Sequence, residues 1–315
     1  MLDEAAAAAI SDHYGLGDSA VLTGPVARGE QGWVWRLDTR RGAWAVKELF
    51  VPRPEEEVDA EAAFPEAAHA AGVPLPAIVR AVDGRVAHSL GPAQVRVYEW
   101  VDLFEPDANL DPAAVGRLVA EIHRVRMGAA GPVHPWYTEP VGAARWDELV
   151  VLLSAAGAPF ADDLARFRDE LVAMEGWLEP PAAMQMCHCD LWADNVRGTP
   201  TGPLCVIDWE NSGPADPSQE LCLVLYEFGT GPTGRAKALY EAYLDAGGPG
   251  RVERRGTFST VIAQLGHINE MACRRWLSAP ADSDDRRHYA HRFAEFTSRP
   301  LTGAAIDDLL DAIAP

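Results

Sequence analysis

His188, Asp190 and Asn195 stand in the pattern H-x-D-x-x-x-x-N within the stretch HCDLWADN. That spacing suits phosphoryl transfer. The Asp accepts the proton of an attacking hydroxyl, and the Asn five residues on gives an amide oxygen to Mg²⁺. One short loop then offers a base to the nucleophile and a ligand to the metal. Eighteen residues after Asp190, an apolar run ends in Asp208, within CVIDWEN. This is the order expected of a second carboxylate that binds Mg²⁺ and bridges phosphates. Mg²⁺ keeps several waters, so Asn195 and Asp208 suffice as its protein ligands. His188 is expected to brace the loop rather than to act as a base.

A cation must balance the phosphate charge. The chain has 27 basic residues, and only Lys47 and Lys237 are lysines. Lys47 lies in the strand-like stretch WAVKEL, where a kinase places the lysine that meets α- and β-phosphates. A compact ammonium is not interchangeable with a guanidinium fork, so a lysine in this arginine-rich background is informative. An acid on the following helix would orient it. Glu61 is the expected partner, with Glu57 and Glu66 as alternatives. The loop RGEQGWVW carries only Gly29 and Gly32, not G-x-G-x-x-G. Backbone N–H groups of residues 29–33 are the candidates to touch phosphate. The linker residues Glu99, Trp100 and Val101 would hold a purine through their peptide groups.

These residues need a frame. WVWRLDT and GAWAVKELF read as a hairpin turning at Arg41–Gly42. An Ala-rich helix over 58–72 follows, ended by Gly72 and interrupted or kinked at Pro65. Strands are expected at 78–82, 85–90 and 94–100. From about residue 110 helical spacing takes over: Val115, Leu118, Val119, Ile122 and Val125; then Leu164, Phe167, Leu171 and Met174. Residues 128–147 read as a long loop. Four further helical patterns begin near 221, 239, 258 and 289, and a short helix ends the chain. The expected architecture is α+β and bilobal, with a small antiparallel-sheet lobe over 1–100 and a larger, mostly helical lobe over 101–315.

Composition narrows the partners. The net charge is −20 over 315 residues. Such a field repels nucleic-acid phosphates and anionic membrane surfaces and attracts cations. The hydrophobic share of 48% and the charged share of 23% are globular values, against wholesale disorder. Five cysteines are all in the second half of the chain, an odd number and a poor disulfide framework. No apolar run reaches the ~18 residues of a membrane span, and the N-terminus is acidic, unlike a signal peptide. A cytoplasmic protein, monomer or homodimer, is expected. Cys187–His188–Cys189 looks briefly zinc-like, but zinc needs about four convergent ligands and the remaining cysteines are scattered.

Taken together, the stretches AVKEL, EAAFPEAAHAAGVPLP, HCDLWADN and IDWENSGPADPSQEL resemble the aminoglycoside phosphotransferase family, small-molecule kinases with a protein-kinase-like fold. The resemblance runs from about residue 20 to about 230. It implies ATP or GTP as donor, Mg²⁺, and a small-molecule hydroxyl as acceptor. The acceptor site would lie in the helical lobe between the catalytic loop and the last helices. AEIHR at 120–124 looks like the family's helix ending in Leu-His. Two positions depart from its pattern: Ala215 replaces the Gly before Asp216–Pro217, and Glu220 stands where Asp is usual. Cys189 occupies the place of a protein kinase's Arg, and no A-P-E motif is present. Both argue against a peptide kinase controlled by loop phosphorylation.

The acceptor is the open question. A polycationic, antibiotic-like acceptor would need several carboxylates. Glu210 and Glu270 are the leading candidates, with Asp102 and the acids at 105, 107, 147, 148, 282, 284 and 285 behind them. Trp192 and Trp209 flank the two key acids, either as core or as pocket wall. A metabolic kinase acting on a sugar, an amino alcohol or a biosynthetic intermediate is the alternative. A nucleotide-binding pseudokinase is a third reading, opposed by the competent residue at every kinase position.

Overall fold

A computed structural model describes residues 2, 4–29 and 31–314. The chain forms two compact units. The first comprises residues 1–107 and 193–212, the second residues 108–192 and 213–315. The first lobe therefore does not end near residue 100; a later segment, reached past Trp192, belongs to it.

The first unit is built on a six-stranded antiparallel sheet. Its elements are α1 (Glu4–Tyr14), β1 (Val21–Arg28), β2 (Gly32–Thr39), β3 (Gly42–Leu49), α2 (Glu55–Ala70), β4 (Ile78–Val79), β5 (Ala87–Leu90) and β6 (Ala93–Glu99). The strand order is β1-β2-β3-β6-β4, and β5 also pairs β6. The β2–β3 hairpin matches the sequence reading. Two elements escaped it. In α1 the run of alanines gives little contrast between faces, and β1 is mostly exposed with Gly24–Pro25 at its middle. Pro65 does not interrupt α2, which runs through it as one helix of 16 residues. Burial of Pro65, Phe64 and Ala62 holds that helix together.

The strand period of two divides the sheet into faces. Trp35, Leu37, Val46, Val95 and Val97 form a core with Leu2, Ala7, Ile10 and Tyr14 at the α1 end of the chain. Alternate residues, Lys47, Arg96 and Tyr98, point to the other face. Lys47 pairs directly across from Arg96. Gly32 is sterically required: a Cβ there would stand 2.2 Å from the Glu48 carbonyl oxygen. The unit is completed by the hairpin β8 (Val196–Gly198) and β9 (Leu204–Val206) and a 3-10 turn, Trp209–Asn211.

The second unit holds α3 (Pro112–Arg124), α4 (Ala143–Ala155), α5 (Ala161–Glu175), β7 (Gln185–Cys187), β10 (Gly213–Ala215), α6 (Pro217–Gly229), α7 (Arg235–Asp245), α8 (Ser259–Ser278), α9 (Asp284–Ser298) and α10 (Gly303–Ile313). Asp111 caps α3 by accepting from the amides of Ala113 and Ala114, and Pro112 supplies the favoured first helical residue. Gly116 lets α3 and α7 touch, since a Cβ would meet the Leu239 carbonyl oxygen at 2.2 Å. The expected loop at 128–147 holds a 3-10 turn at Pro135–Tyr137, and α4 begins inside it. Trp146, on that helix, is fully buried. No helix among the described residues is long and apolar enough to cross a membrane.

Candidate active site

In the first unit, one hairpin carries both candidate metal ligands. The pairing of Val196 with Val206 continues one step to the Ile207 amide, which donates to the Asn195 carbonyl at 3.0 Å. Asn195 and Asp208 thus leave the same end of β8–β9, and their 13-residue spacing follows from the hairpin's length. Asp208 adopts φ 61° and ψ 60°, a left-handed conformation that Asp tolerates better than most residues. Its backbone then turns sharply into the 3-10 segment. Trp209 is buried, donates from its indole to the Val206 carbonyl at 3.1 Å, and packs edge-on to Phe64 of α2. It is a core residue of this unit.

Lys47 is buried and lies 2.6 Å from Asp208 Oδ1 and 2.6 Å from Glu210 Oε1. Burial would lower its pKa, but Glu210 and Asp208 reverse that and hold the ammonium charged, well above its usual value. Burial and the neighbouring Glu210 push Asp208 up to about 7, against the pull of Lys47. Burial opposes ionisation of Glu210 too, yet Lys47 and Arg96 win there and keep it a carboxylate.

The expected pairing of Lys47 with Glu61 is not what the structure shows. Glu61 binds Arg96 Nη2 at 3.0 Å and also Arg53. The reason is the sheet register. Arg96 stands beside Lys47 and intercepts the helix acid, while Glu210 fills the position at the ammonium. Glu66 binds Arg80 and Glu57 binds Arg53. Glu210 therefore faces the sheet, not an acceptor: its side chain is 5% exposed, and Tyr98 Oη donates to it at 3.4 Å.

The glycine loop differs from its expected use as well. The Gly29 amide donates to the Gly32 carbonyl at 2.9 Å, closing the turn on itself. Glu30 lies outside the described residues. In the linker, the Glu99 and Trp100 amides donate to the carbonyls of Ala77 and Ala43 at 2.9 and 3.1 Å. Trp100 is clamped: its indole donates to Asp102 at 2.8 Å and Arg36 stacks over its ring. Val101 follows, half-buried.

In the second unit, Asp190 sits half-buried on a turn that is held from behind. The Trp192 amide donates to the Asp190 carbonyl at 3.0 Å, and Trp192 lies edge-on to Tyr226. His188 is fully buried. Cys189 has φ 64°, and its amide donates to Glu220 of α6. Glu220 also accepts from His123 Nε2 at 2.6 Å. An ionised carboxylate only accepts, so Nε2 carries the proton. The other ring nitrogen, Nδ1, is hydrogen-bonded to Tyr243 Oη at 2.8 Å. Tyr243 in turn accepts from the Gly250 amide at 2.8 Å. Burial alone would raise the pKa of Glu220; the His123 bond and the Cys189 amide hold it below its usual value. The sequence reading noted Glu220 and the helix ending in His123 but not Tyr243.

Of the two departures from the family pattern, Glu220 is the buried acceptor of His123 and Cys189, and Ala215 has a local explanation as well. Ala215 is buried in extended β10, a backbone any residue adopts. Asp216 is the N-cap of α6: it accepts from Ser218 at 2.8 Å and from the amides of Ala182 and Ala183. Tyr137 is a residue the sequence did not single out. It packs on Cys187, Cys189 and Ala215, and burial, with Cys189 and Asp190 nearby, raises its hydroxyl's pKa. Among the described residues, His123, Cys187 and Glu220 are the group whose ligand atoms could share a metal ion. The bonds of His123 to Glu220 and Tyr243 already occupy both of its ring nitrogens.

Glu270, expected to meet an acceptor, is buried on α8. It is paired with Arg274 at 3.0 Å, Arg145 at 3.3 Å and His267 at 3.7 Å. Glu148 binds Arg274 and Asp147 binds Arg168.

A two-unit α+β chain with this sheet and these helices has a protein-kinase-like fold. Spectinomycin phosphotransferase APH(9)-Ia, solved with ADP and spectinomycin, superposes with a TM-score of 0.69 at 14% identity, covering 99% of this chain and 98% of that one. An aminoglycoside phosphotransferase from Alicyclobacillus acidocaldarius gives 0.67 at 16% identity, covering 99% and 97%. A choline/ethanolamine kinase family protein from Mesorhizobium loti gives 0.59 at 19% identity, covering 99% of each chain. No curated protein sequence matches. The model of the phosphotransferase enzyme family (APH) matches residues 25–256. The chain belongs to that family, and it is a phosphotransferase of the small-molecule kinase class.

Proposed function

We propose that the chain moves the γ-phosphoryl group of ATP or GTP to a hydroxyl of a small molecule, with Mg²⁺ as cofactor. The observation that carries this is the cluster of Lys47, Asp208 and Glu210 beside the hairpin that ties Asn195 to Ile207. The donor set suits the ion. An amide oxygen and a carboxylate are hard ligands, and the Asp208 side chain keeps 35% of its surface open. Asn195 and Asp208 would hold Mg²⁺, which neutralises phosphate charge when bound. Lys47 places an ammonium against phosphate oxygens. Asp190 takes the proton of the acceptor hydroxyl, on a turn fixed through Cys189 and Glu220. The linker's Glu99 carbonyl and Val101 amide are the groups offered to the purine.

For the acceptor we infer a compound carrying both an amine and a hydroxyl. The net charge of −20 supports a cationic molecule, and so do the aminoglycoside and ethanolamine in the neighbours' names. A small amino alcohol is favoured over a polycationic antibiotic by one observation. Glu270, Glu148 and Asp147, which would face a polycation, are already paired with arginines.

The test is nucleotide turnover with Mg²⁺ across aminoglycosides, basic peptide antibiotics, amino alcohols and sugars, using ATP and GTP. Asp190→Ala should lower turnover about 10³-fold while ADP still binds. Undiminished turnover in that variant would overturn the assignment of the base. A wild-type chain that binds nucleotide and phosphorylates nothing would favour a pseudokinase.

A further inference from the structure

We propose that Glu210, rather than the helix acid Glu61, is the residue that positions Lys47. The proposal rests on the reading of Lys47 as the phosphate-binding cation. The sheet dictates the problem. Lys47 and Arg96 are directly opposed on one face of β3 and β6, and like charges in that relation destabilise a sheet. Interleaved acids solve it. Glu210 Oε1 lies 2.6 Å from the ammonium and 3.8 Å from Arg96 Nη1. Glu61 lies on the far side of Arg96, bound to it and to Arg53. It already has two guanidinium partners.

The two acids on Lys47 differ in access. Asp208 is 35% exposed, whereas Glu210 is 5% exposed and held by Tyr98. Asp208 is thus the carboxylate open to an incoming divalent cation. Glu210 is walled off from one and keeps its hold on the ammonium. Glu210 is two residues from Asp208, within one 3-10 turn. The phosphate-binding cation and the metal-binding carboxylate are therefore fixed to the same short piece of backbone.

The test compares Glu210→Gln with Glu61→Gln in the full chain. ADP affinity is measured by calorimetry in EDTA, where no metal contributes, alongside KM for ATP and kcat. Glu210→Gln should weaken ADP binding about tenfold and raise KM for ATP, while Glu61→Gln should leave both within about twofold. Glu210→Asp, which keeps the charge, should recover part of the loss. The reverse pattern, or no change in either variant, would overturn the proposal.

Glu210→Gln could fail to fold with Lys47 left short of one acid. The neutral pair Lys47→Met with Glu210→Gln avoids that and is compared with Lys47→Met alone. If Glu210 acts through Lys47, the added substitution changes ADP affinity by less than about twofold. A further tenfold loss would mean that Glu210 acts on the ligand directly, against the proposal. Failure of the wild-type chain to bind ADP would instead sink the nucleotide reading itself.

Discussion

Around Lys47 the contacts are charged and run from side chain to side chain. Around Asp190 they are hydrogen bonds that end on the backbone. In the first unit Asp208, Lys47, Glu210, Arg96, Glu61 and Arg53 alternate in sign. In the second, Gly250, Tyr243, His123, Glu220 and the Cys189 amide form one chain of donors and acceptors. Each arrangement fits the task proposed for it. An ion-paired row can exchange partners when phosphate or metal charge arrives, because each interior member has a counter-ion on either side. A network anchored on an amide fixes a turn, and a general base must stay where the acceptor proton will be.

The sharpest way to break this contrast is to remove Glu220. Glu220→Ala orphans two buried donors, the Cys189 amide and His123 Nε2, and leaves a cavity. Each orphan costs about 1–3 kcal/mol, so a loss of about 3 kcal/mol in urea denaturation is expected. Turnover should fall with kcat rather than with the nucleotide KM. A loss below about 1 kcal/mol, well short of one broken buried network, would mean that water or a neighbour satisfies the turn. The same truncation at Glu61 should cost less, since Arg96 keeps Glu210 nearby.

A smaller effect is expected at two glycines of the first unit. The first unit has Gly32 where a strand leaves no room, with 2.2 Å between a built Cβ and the Glu48 oxygen. Gly32→Ala should destabilise by about 2 kcal/mol through overpacking. Gly29→Ala meets nothing closer than 3.7 Å and should stay within about 0.5 kcal/mol. The ATP KM of Gly29→Ala should match the wild type, because its amide already binds Gly32. A raised KM there, with Gly32→Ala tolerated, would restore the loop as a phosphate cradle.

How much of this was legible in the sequence depends on whether the information was local. The β2–β3 hairpin, the helices after residue 110 other than α4, and the order Lys47, Asp190, Asn195, Asp208 could be read from spacing. What spacing could not give was partner choice. Glu61 lies on the expected helix, but whether it meets Lys47 or Arg96 is decided by strand register across 49 residues of chain. Glu210 read as an acceptor acid because its distance from Asp208 was visible and its burial was not. Helix α4 hid in a loop-like stretch because Gly142 and the prolines before it outweighed the pattern led by Trp146. Segment 193–212 is assigned to the first unit by its packing, which no composition shift marks.

A further small effect lies at Cys189, the counterpart of Asp208. Both have φ near +60°. Asp visits that conformation more readily than most residues, whereas Cys is not among the types that favour it. Glycine at 189 would remove strain of about 1 kcal/mol. It would also forfeit the bonds that the buried thiol donates to the Cys187 and Gly213 carbonyls, and give the unfolded chain more freedom, at similar cost. The two nearly cancel, so Cys189→Gly should shift stability by less than about 1 kcal/mol and leave kcat within about twofold. Cys189→Val, β-branched at the same φ, should be far worse. If glycine instead lowered kcat sharply at unchanged stability, the strain at 189 would be part of how Asp190 is aimed. The second unit would then share with the first a left-handed residue at or beside a carboxylate of the proposed site.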